Sequence, residues 1–497
     1  MDADAGAGAP DLTFPIEYQA GRDSNRELSG RGVLRIERTP RRFVFRGHVR
    51  RMMSRGPEIE LAFLAEDVRN VAIGGRRVEF TSTKASTDAK RGPFVFFCAS
   101  EEEAIAATRF FPATHDPEFV EGLAFQDQVA RLAGPRGTMA WVTNLIVAAN
   151  LIVFVAMGLL GAGWFEAASM KPYIFYGANN AAATTNGEWW RLVTSMFLHF
   201  GVLHVAFNMW ALYQAGHLVE RLLGRSLYTL VYFGTGVVGS LATICWHGDT
   251  LWSAGASGAV FGVYGALLGY FVREKHGVPR SVFQPIMKST LIFAAFNLFY
   301  GAVNPHIDNA AHIGGFASGF VLGWLVALPL DLQQRAALWP RRFLAGVVVL
   351  AIAIAVGVHF APRYNYLPTE EFAWDEATAT AAASEKAIDE EERKAFTAYE
   401  QTHDAKALAT WLGETGLPFY KNFRDRLAAL QLTPGKLTAL RRDWMTRMLD
   451  LEVEAYQQLK AGLTNDDVTA WANYKAKQSE ILDVLHHPPQ MPKEKAR

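Results

Sequence analysis

Cysteine is scarce in this chain, and its charges cancel. The 497 residues include only two cysteines, Cys98 and Cys245, which lie in separate regions. Two isolated cysteines indicate neither a disulfide framework nor a zinc knuckle. Lysine plus arginine and aspartate plus glutamate both total 49, so the net charge is zero. Without an overall basic field, the chain is not expected to be a dedicated nucleic-acid binder.

Several other signals are missing as well. The first residues, Met1 to Pro10, are small and acidic, so no cleaved secretory signal is predicted. The spacing of the histidines suits no standard zinc site. We therefore expect neither a metal nor a cofactor.

Long apolar runs are what the chain does have. Most of them reach the roughly 20 residues that a membrane-spanning helix needs. The seven runs lie near 141–165, 200–219, 226–246, 256–272, 285–302, 309–330 and 343–361. They predict an all-α polytopic membrane protein with a six-helix core and a seventh transmembrane helix. Residues 166–190 would form a long loop between the first two spans.

The segment before these runs is predicted to be a soluble, mainly-β domain. Short alternating patterns mark its strands: 33–36, 43–45, 59–63, 78–80 and 94–97. Gly74-Gly75 indicates a turn. Ser100 and Glu103 form a capping-box pattern for a helix through Phe110. Strands followed by one helix resemble a pleckstrin-homology-like or GRAM-like domain.

Eleven arginines occur between Arg22 and Arg55, against only three acidic residues, Asp23, Glu27 and Glu37. One interpretation is a solvated face of the sheet. The other is a patch that contacts anionic lipid at the cytoplasmic leaflet.

After Pro362 the chain is polar again and begins with many acidic residues. Helical spacing of apolar residues predicts a helical soluble domain, interrupted at Pro434-Gly435. The predicted domains are therefore 1–138 (β-rich), 139–330 (six-helix core), 331–362 (linker and seventh span) and 363–497 (helical).

Basic residues near the ends of the spans predict the orientation. Seven alternating crossings place ten of them on one side: Arg131, Arg136, Arg221, Arg225, Arg273, Lys275, Arg280, Arg335, Arg341 and Arg342. Lys171, Arg191 and Arg363 fall on the other side. The N-terminus is thus expected to be cytoplasmic and the C-terminus extracytoplasmic. Alanine- and arginine-rich composition favours a bacterial inner membrane.

Polar side chains recur where the second, fourth and sixth spans begin. These spans would start from the same side, so their first turns share one depth. His204 and Asn208 lie on one face of the second span, Ser257 begins the fourth, and His312 lies in the sixth. Such groups are costly in a membrane and face the protein interior or a wet cavity.

This set of side chains suits acyl transfer. A serine hydroxyl becomes a good nucleophile when a histidine accepts its proton. His204, Asn208 and the Ser257 N–H are candidate donors to the oxyanion of a tetrahedral intermediate. Each feature alone has a plainer interpretation: small residues for helix packing, a hydrogen-bonded structural histidine, or an asparagine joining two helices. Their joint placement on three helices favours a site.

Four stretches in this order resemble the rhomboid family of intramembrane serine proteases. They are Trp190-Arg191, His199 to Asn208, Gly255-Ala256-Ser257-Gly258, and Ala311-His312 followed by Gly315 and Gly319. The resemblance covers roughly residues 141–330. It implies a Ser257–His312 dyad that cleaves transmembrane segments of protein substrates, and an oxyanion hole with His204 and Asn208.

The resemblance also implies supporting roles. His199 would stabilise the loop and helix around the oxyanion hole, and Trp190-Arg191 would hold the first loop. Phe261 stands where many relatives have a tyrosine stacked on the catalytic histidine. Gly255, Gly258, Gly315 and Gly319 would allow close approach of the helices. Asp308 is interpreted as a loop or helix-start residue and not as the acid of a triad.

Two other functions remain open at this point. One is a non-proteolytic protein that binds membrane clients, like inactive relatives of the family. The other is a seven-span receptor or transporter, which would have polar residues along a pathway. Metalloproteases and aspartyl intramembrane proteases fit less well, because the chain has no H-E-x-x-H motif and no paired membrane aspartates.

Overall fold

The computed structural model describes residues 11–18, 28–38, 40–50, 55–83, 93–132, 140–304, 307–487 and 495–496. It contains two compact units. The first comprises Met1–Gln128 and Val278–Pro285, and the second comprises Val129–Gly277 and Ile286–Arg497.

The first unit is built on an antiparallel seven-stranded sheet with the order β4-β3-β2-β1-β7-β6-β5. Its strands are β1 (Leu12–Tyr18), β2 (Leu28–Arg38), β3 (Arg41–Arg50), β4 (Arg55–Leu64), β5 (Val68–Gly74), β6 (Arg77–Ser82) and β7 (Phe94–Cys98). Two helices follow, α1 (Glu101–Thr108) and α2 (Pro117–Leu132). The predicted mainly-β domain is confirmed.

Local signals account for much of this unit. Alternating residues such as Leu34, Ile36, Phe43 and Phe45 are buried, because successive side chains of a strand point to opposite faces. The Ser100 hydroxyl accepts the Glu103 N–H, so the predicted N-cap is confirmed, and the Glu103 carboxylate reaches back to the N–H of Ala99, one residue before the position that a capping box uses. The helix ends two residues before Phe110, which was its predicted end.

Three arginines of the arginine-rich stretch pair with acidic neighbours. Arg35 and Arg42 both contact the carboxylate of Glu37, at 2.8 and 2.6 Å, and Arg46 contacts Glu60 at 2.5 Å. These pairs favour the interpretation as a solvated face, and lipid contact stays a prediction. Residues 19–27 and 51–54, which carry part of the arginine-rich stretch, lie outside the described residues.

The second unit begins with the apolar helices. They are α3 (Trp141–Leu159), α4 (Lys171–Tyr176), α5 (Ala181–Thr185), α6 (Arg191–Thr194), α7 (Val202–Leu223), α8 (Arg225–His247), α9 (Ser257–Arg273), α10 (Arg280–Val303), α11 (Asn309–Val326) and α12 (Leu332–Phe360). A short 3₁₀ turn, Ser195–Phe197, continues α6. Pro285, which the sequence placed at the start of the fifth span, lies inside α10.

Four of the described helices are long and apolar enough to cross a membrane: α3, α8, α10 and α12. A fifth span results if the segment Arg191–Phe197 is joined to α7 across a bend of 98°. The count of seven spans was larger because it included α9 and α11, which have 17 and 18 residues. Both are rich in glycine, which lowers their mean hydropathy, and α9 is also largely buried. The number of spans stays a prediction.

The chain after α12 is helical, as predicted. Its helices are α13 (Pro368–Thr402), α14 (Ala405–Trp411), α15 (Leu417–Ala428), α16 (Leu437–Asn465) and α17 (Val468–His486), with two short paired strands, β8 (Arg363–Tyr364) and β9 (Lys495–Ala496). Pro434-Gly435 lies between α15 and α16 and breaks the helical pattern there. Leu408, Leu412, Val453, Tyr456 and Leu459 are among its core residues.

This helical region contacts loops of the apolar core. The hydroxyls of Tyr364 and Tyr366 donate to the Asp249 carboxylate at 3.3 and 2.5 Å. The Lys436 ammonium donates to the Asn186 side-chain oxygen at 2.5 Å. Asp249 lies between α8 and α9, so the helical region is attached close to the start of α9.

A cluster of acidic groups between α13 and α16 makes this region sensitive to pH. Burial, and then the nearby carboxylates of Glu392 and Asp389, raise the pKa of Glu452. A raised folded-state pKa stabilises the fold below the unfolded pKa, and this contribution is lost as the pH rises through the folded pKa. We therefore expect Glu452→Gln to increase protection of α16 at neutral pH and to leave it nearly unchanged at acidic pH.

Hydrogen exchange of α16 peptides in the full chain, corrected for the intrinsic pH dependence of exchange, measures this effect. Glu400→Gln, at an exposed position near the end of α13, is the matched control and should leave the protection unchanged at both pH values. Equal protection of wild type and Glu452→Gln at neutral pH would show that the ionised Glu452 carboxylate does not destabilise α16.

Candidate active site

The centre of the second unit is the contact between α9 and α11, which pack backbone against backbone. The Cα of Gly315 faces the carbonyl oxygen of Gly258, and the Cα of Gly319 faces that of Gly262. At each place a Cβ atom would collide with the opposing main chain. Glycines at spacings of four let two membrane helices approach this closely. The register between α9 and α11 is therefore set by their main chains.

This register brings Ser257 and His312 to the same level. Gly258 follows Ser257, and the position of its missing Cβ is 3.4 Å from the carbonyl oxygen of Ala311, which precedes His312. One turn after Ser257, the Phe261 ring lies flat on the His312 imidazole, with 4.2 Å between centroids and 3° between planes. Ser257 is half-buried as the first residue of α9, and His312 is buried in the first turn of α11.

The backbone just before Ser257 is held by α6 and the turn after it. The Gly255 N–H donates to the Ser195 carbonyl at 2.8 Å, and the Ala256 N–H donates to His199 Nε2 at 3.3 Å. Gly255 has φ +138°, a conformation that favours glycine. Because His199 Nε2 accepts a hydrogen bond from the Ala256 N–H, the neutral ring carries its proton on Nδ1, which lies 3.3 Å from the Phe197 carbonyl. His199 thus supports the start of α9.

His204 faces the same side of Gly255 as the Ser257 hydroxyl does. A Cβ at Gly255 would lie 2.9 Å from His204 Nε2 and 3.8 Å from Ser257 Oγ. His204 Nδ1 accepts the Phe200 N–H at 3.3 Å. The neutral imidazole therefore has its proton on Nε2, the nitrogen that faces the serine. This tautomer makes His204 a hydrogen-bond donor toward Ser257.

Asn208 lies one turn further along α7 and is buried. Its amide nitrogen donates to the His204 carbonyl at 2.9 Å. That bond uses one of the two amide hydrogens and orients the side chain. Among the predicted site residues, Ser257, His204, Asn208 and His312 thus come from the beginnings of three helices, α9, α7 and α11.

Arg191 anchors the loop between α3 and α7 and is 1% exposed. Its guanidinium donates to the carbonyls of Ile174 and Ala178 at 2.6 and 2.9 Å and to the Glu188 carboxylate at 2.6 Å. It also lies 4.7 Å from the ring of Trp190. One planar fork joins several parts of this loop.

Arg191→Lys tests this anchor. A lysine cannot reproduce the fork, so at least one buried carbonyl loses its partner, at a cost of about 1 to 3 kcal/mol of unfolding free energy. Chemical denaturation in detergent measures the loss. Arg225→Lys, at an exposed position at the start of α8, should stay close to wild type. A loss of the same size in both variants would contradict an anchoring role.

Two acidic residues of the core cap helices, and the sequence revealed this role for only one of them, Asp308. Glu220, 4% exposed, accepts the backbone N–H groups of Val142 and Thr143 at 3.0 and 2.8 Å, and so caps α3 from α7. Its signal was an acidic residue directly after an apolar run. Asp308 is the N-cap of α11, where its side chain accepts the Ala311 N–H at 3.0 Å, as expected for a helix-start residue.

No group of three or more His, Cys, Asp or Glu side chains is arranged to hold a metal in the part of the chain that the structure describes. Two histidines near Ser257, His199 and His204, use a ring nitrogen to bind backbone N–H groups.

Comparison with known proteins decides the family. The family model "Rhomboid domain" matches residues 186–329. A putative rhomboid protease, YdcA of Bacillus subtilis (strain 168), is 34% identical over 140 residues, which cover 28% of this chain and 68% of YdcA. The chain belongs to the rhomboid family. The family resemblance seen in the motifs is thereby confirmed, and the helical core is that of an integral membrane protein.

Other rhomboid proteins match a longer part of the chain. Rhomboid protease GluP of Bacillus subtilis (strain 168) is 32% identical over 212 residues, which cover 43% of this chain and 39% of GluP. Rhomboid-like protease 2 of Toxoplasma gondii is 30% identical over 220 residues, covering 44% of this chain and 74% of that protein. The chain thus spans well under half the length of GluP, and the domain boundaries given above stay predictions.

Proposed function

We propose that this protein is a rhomboid-type intramembrane serine endopeptidase that hydrolyses a peptide bond in or near a transmembrane segment of a membrane-protein substrate. The observation that carries the proposal is the flat stacking of Phe261 on His312, one turn from Ser257, at the α9–α11 contact. Membership of the rhomboid family and relatives named as proteases support it.

The first half of the reaction would form an acyl-enzyme. Ser257 Oγ attacks the carbonyl carbon of the substrate peptide, and His312 accepts the hydroxyl proton. The oxyanion is stabilised by His204 Nε2–H, the Asn208 amide and the N–H of Ser257 at the start of α9. His312 then gives its proton to the leaving amine as the C–N bond breaks.

The second half would release the other product. A water molecule attacks the ester carbonyl while His312 accepts one of its protons, and collapse of the intermediate returns that proton to Ser257 Oγ. The neutral, buried setting of the dyad suits this cycle because no permanent charge has to be kept in the membrane. No catalytic acid and no cofactor enters the scheme.

The protein would work in a bacterial inner membrane, with its N-terminus cytoplasmic and its C-terminal helical region outside. The distribution of basic residues supports this orientation. In it, Ser257 at the start of α9 lies toward the outer leaflet, where water can enter. Labelling of single cysteines in the N-terminal sheet and in α17 with a membrane-impermeant maleimide on intact cells tests the orientation. Labelling of the N-terminal position alone would reverse it.

A serine-directed probe tests the proposed activity. A fluorophosphonate should form one adduct with the full-length protein in detergent, mapped by mass spectrometry to the peptide containing Ser257. Prior treatment with an isocoumarin should block the adduct. A wild-type protein that forms no adduct with either reagent, while still folded, would instead favour a non-proteolytic client-binding protein.

A further inference from the structure

Asp308 does more than cap α11, because its carboxylate also binds two hydroxyls from other segments. One oxygen, Oδ1, accepts the Ala311 N–H at 3.0 Å. The other, Oδ2, accepts the hydroxyls of Thr243 and Ser253, each at 2.6 Å. The side chain is 11% exposed, and His247 Nε2 lies 3.7 Å from Oδ1. Hydrogen bonds to a largely buried carboxylate are short and strong.

The three groups that donate to the Asp308 carboxylate connect the segments that carry Ser257 and His312. Ser253 lies four residues before Ser257, in the loop that leads into α9, and Asp308 lies four residues before His312. Thr243 belongs to α8, which packs beside both. Ser253 is also fixed from the other side, since its N–H and carbonyl pair with the backbone of Asn179 at 2.8 Å each.

The same geometry argues against Asp308 as a proton partner of His312. His312 Nδ1 is buried, and no atom of the described residues forms a hydrogen bond with it. In a triad, that nitrogen would donate to the carboxylate. Here the carboxylate is already occupied by one backbone N–H and two hydroxyls. Asp308 therefore does not accept a hydrogen bond from His312, and it acts on the position of His312 by fixing where α11 begins.

We infer that Asp308 is a positioning residue, which holds the loop before Ser257 at a set distance from the start of α11 by binding Ser253 and Thr243. This inference rests on the proposed proteolytic function. In this inference, the hydroxyls of Ser253 and Thr243 set the distance between the nucleophile, Ser257, and the base, His312. A misplacement of about 1 Å between reacting groups costs on the order of 100-fold in rate.

Two substitutions remove the hydrogen bonds to Asp308 Oδ2 and leave the N-cap of α11 intact. Ser253→Ala and Thr243→Val each delete one hydroxyl, while Asp308 keeps the Ala311 N–H. We expect each to lower kcat for a single-span substrate by about 10-fold and the double variant by about 100-fold. KM should stay constant, because the spacing of Ser257 and His312 acts on the chemical step. Fluorophosphonate labelling of Ser257 should slow in parallel.

Matched variants separate positioning from general stability. Thr243→Ser retains the hydroxyl and should restore activity. Thr229→Val makes the same exchange elsewhere in α8, where the hydroxyl bonds to the Arg225 carbonyl of its own helix, and should remain at the wild-type rate. Asp308→Asn keeps an acceptor for the Ala311 N–H but loses the carboxylate that binds the two hydroxyls, so it should lower kcat and leave KM unchanged. Wild-type kcat in Asp308→Asn would overturn the inference.

The outcomes separate a failure of the proposed proteolytic function from a failure of the positioning role of Asp308. A wild-type protein that neither cleaves nor forms the Ser257 adduct overturns the proposed function and this inference with it. An active wild type with Ser253→Ala, Thr243→Val and their combination equally active overturns only the positioning role. Lower activity in Thr243→Val that Thr243→Ser does not restore would assign the loss to altered packing and would also overturn it.

Discussion

Ser257→Ala is expected to reduce cleavage of a single-span test substrate by about 10⁴-fold or more, and His312→Ala by a similar factor. The alanine at 257 removes the nucleophile, and the alanine at 312 removes the base that accepts its proton. Because both act in one step, the double variant should be no slower than the single ones. Initial rates in proteoliposomes, with the cleavage products separated by mass, measure the effect.

Two controls accompany these variants. Ser289→Ala and His276→Ala repeat the same exchanges at exposed positions in α10 and in the loop before it. Both should cleave at the wild-type rate. Comparable denaturation midpoints for all the variants would show that the loss is chemical. If Ser257→Ala and His312→Ala cleave as fast as wild type, the proposed dyad is wrong.

Gly315→Ala should abolish most activity through a single methyl group. A Cβ at this position would overlap the carbonyl oxygen of Gly258, the residue after Ser257, and main chain cannot rotate away as a side chain can. Overpacking of this kind costs about 1 to 3 kcal/mol of unfolding free energy. It also moves α9 away from α11, so Ser257 and His312 would no longer lie opposite each other across the contact of the two helices.

The comparison with a glycine in open space isolates the steric cause. Gly122 in α2 has no neighbouring atom within 4 Å of the place that a Cβ would take, so Gly122→Ala should be neutral or slightly stabilising, as alanine is the better helix former. Denaturation midpoints and cleavage rates of Gly315→Ala and Gly122→Ala test whether the loss of activity has this steric cause. Wild-type activity in Gly315→Ala would contradict the view that the α9–α11 register controls the site.

Much of the architecture follows from local patterns in the sequence. The alternation around Phe43 and Phe45 predicted strands, and the Ser100–Glu103 pair predicted a helix start, because strand period and helix capping depend on residues close together in the chain. The motifs around His204, Ser257 and His312 likewise predicted which residues would come together, since three helices that begin on one side share a depth.

Other expectations depended on contacts that no local pattern contains. The arginines of the sheet suggested either a solvated face or a lipid-binding patch. The contact of Arg46 with Glu60 across two strands favours the first, and lipid contact stays a prediction. The seven apolar runs did not show that the chain bends by 98° before α7, or that the short helix α9 packs in the interior against α11. These features depend on how distant segments pair.

The sequence by itself determined the family, the helical core, the β-rich start and the identity of the proposed nucleophile and base. Only the tertiary structure decided the register of α9 on α11, the tautomers of His199 and His204, and the ties from Asp308 to Ser253 and Thr243. The physical reason is the separation along the chain over which each interaction acts. Periodicity and capping act within one or two turns of chain, whereas a hydrogen bond between two helices exists only once their relative height and rotation are set.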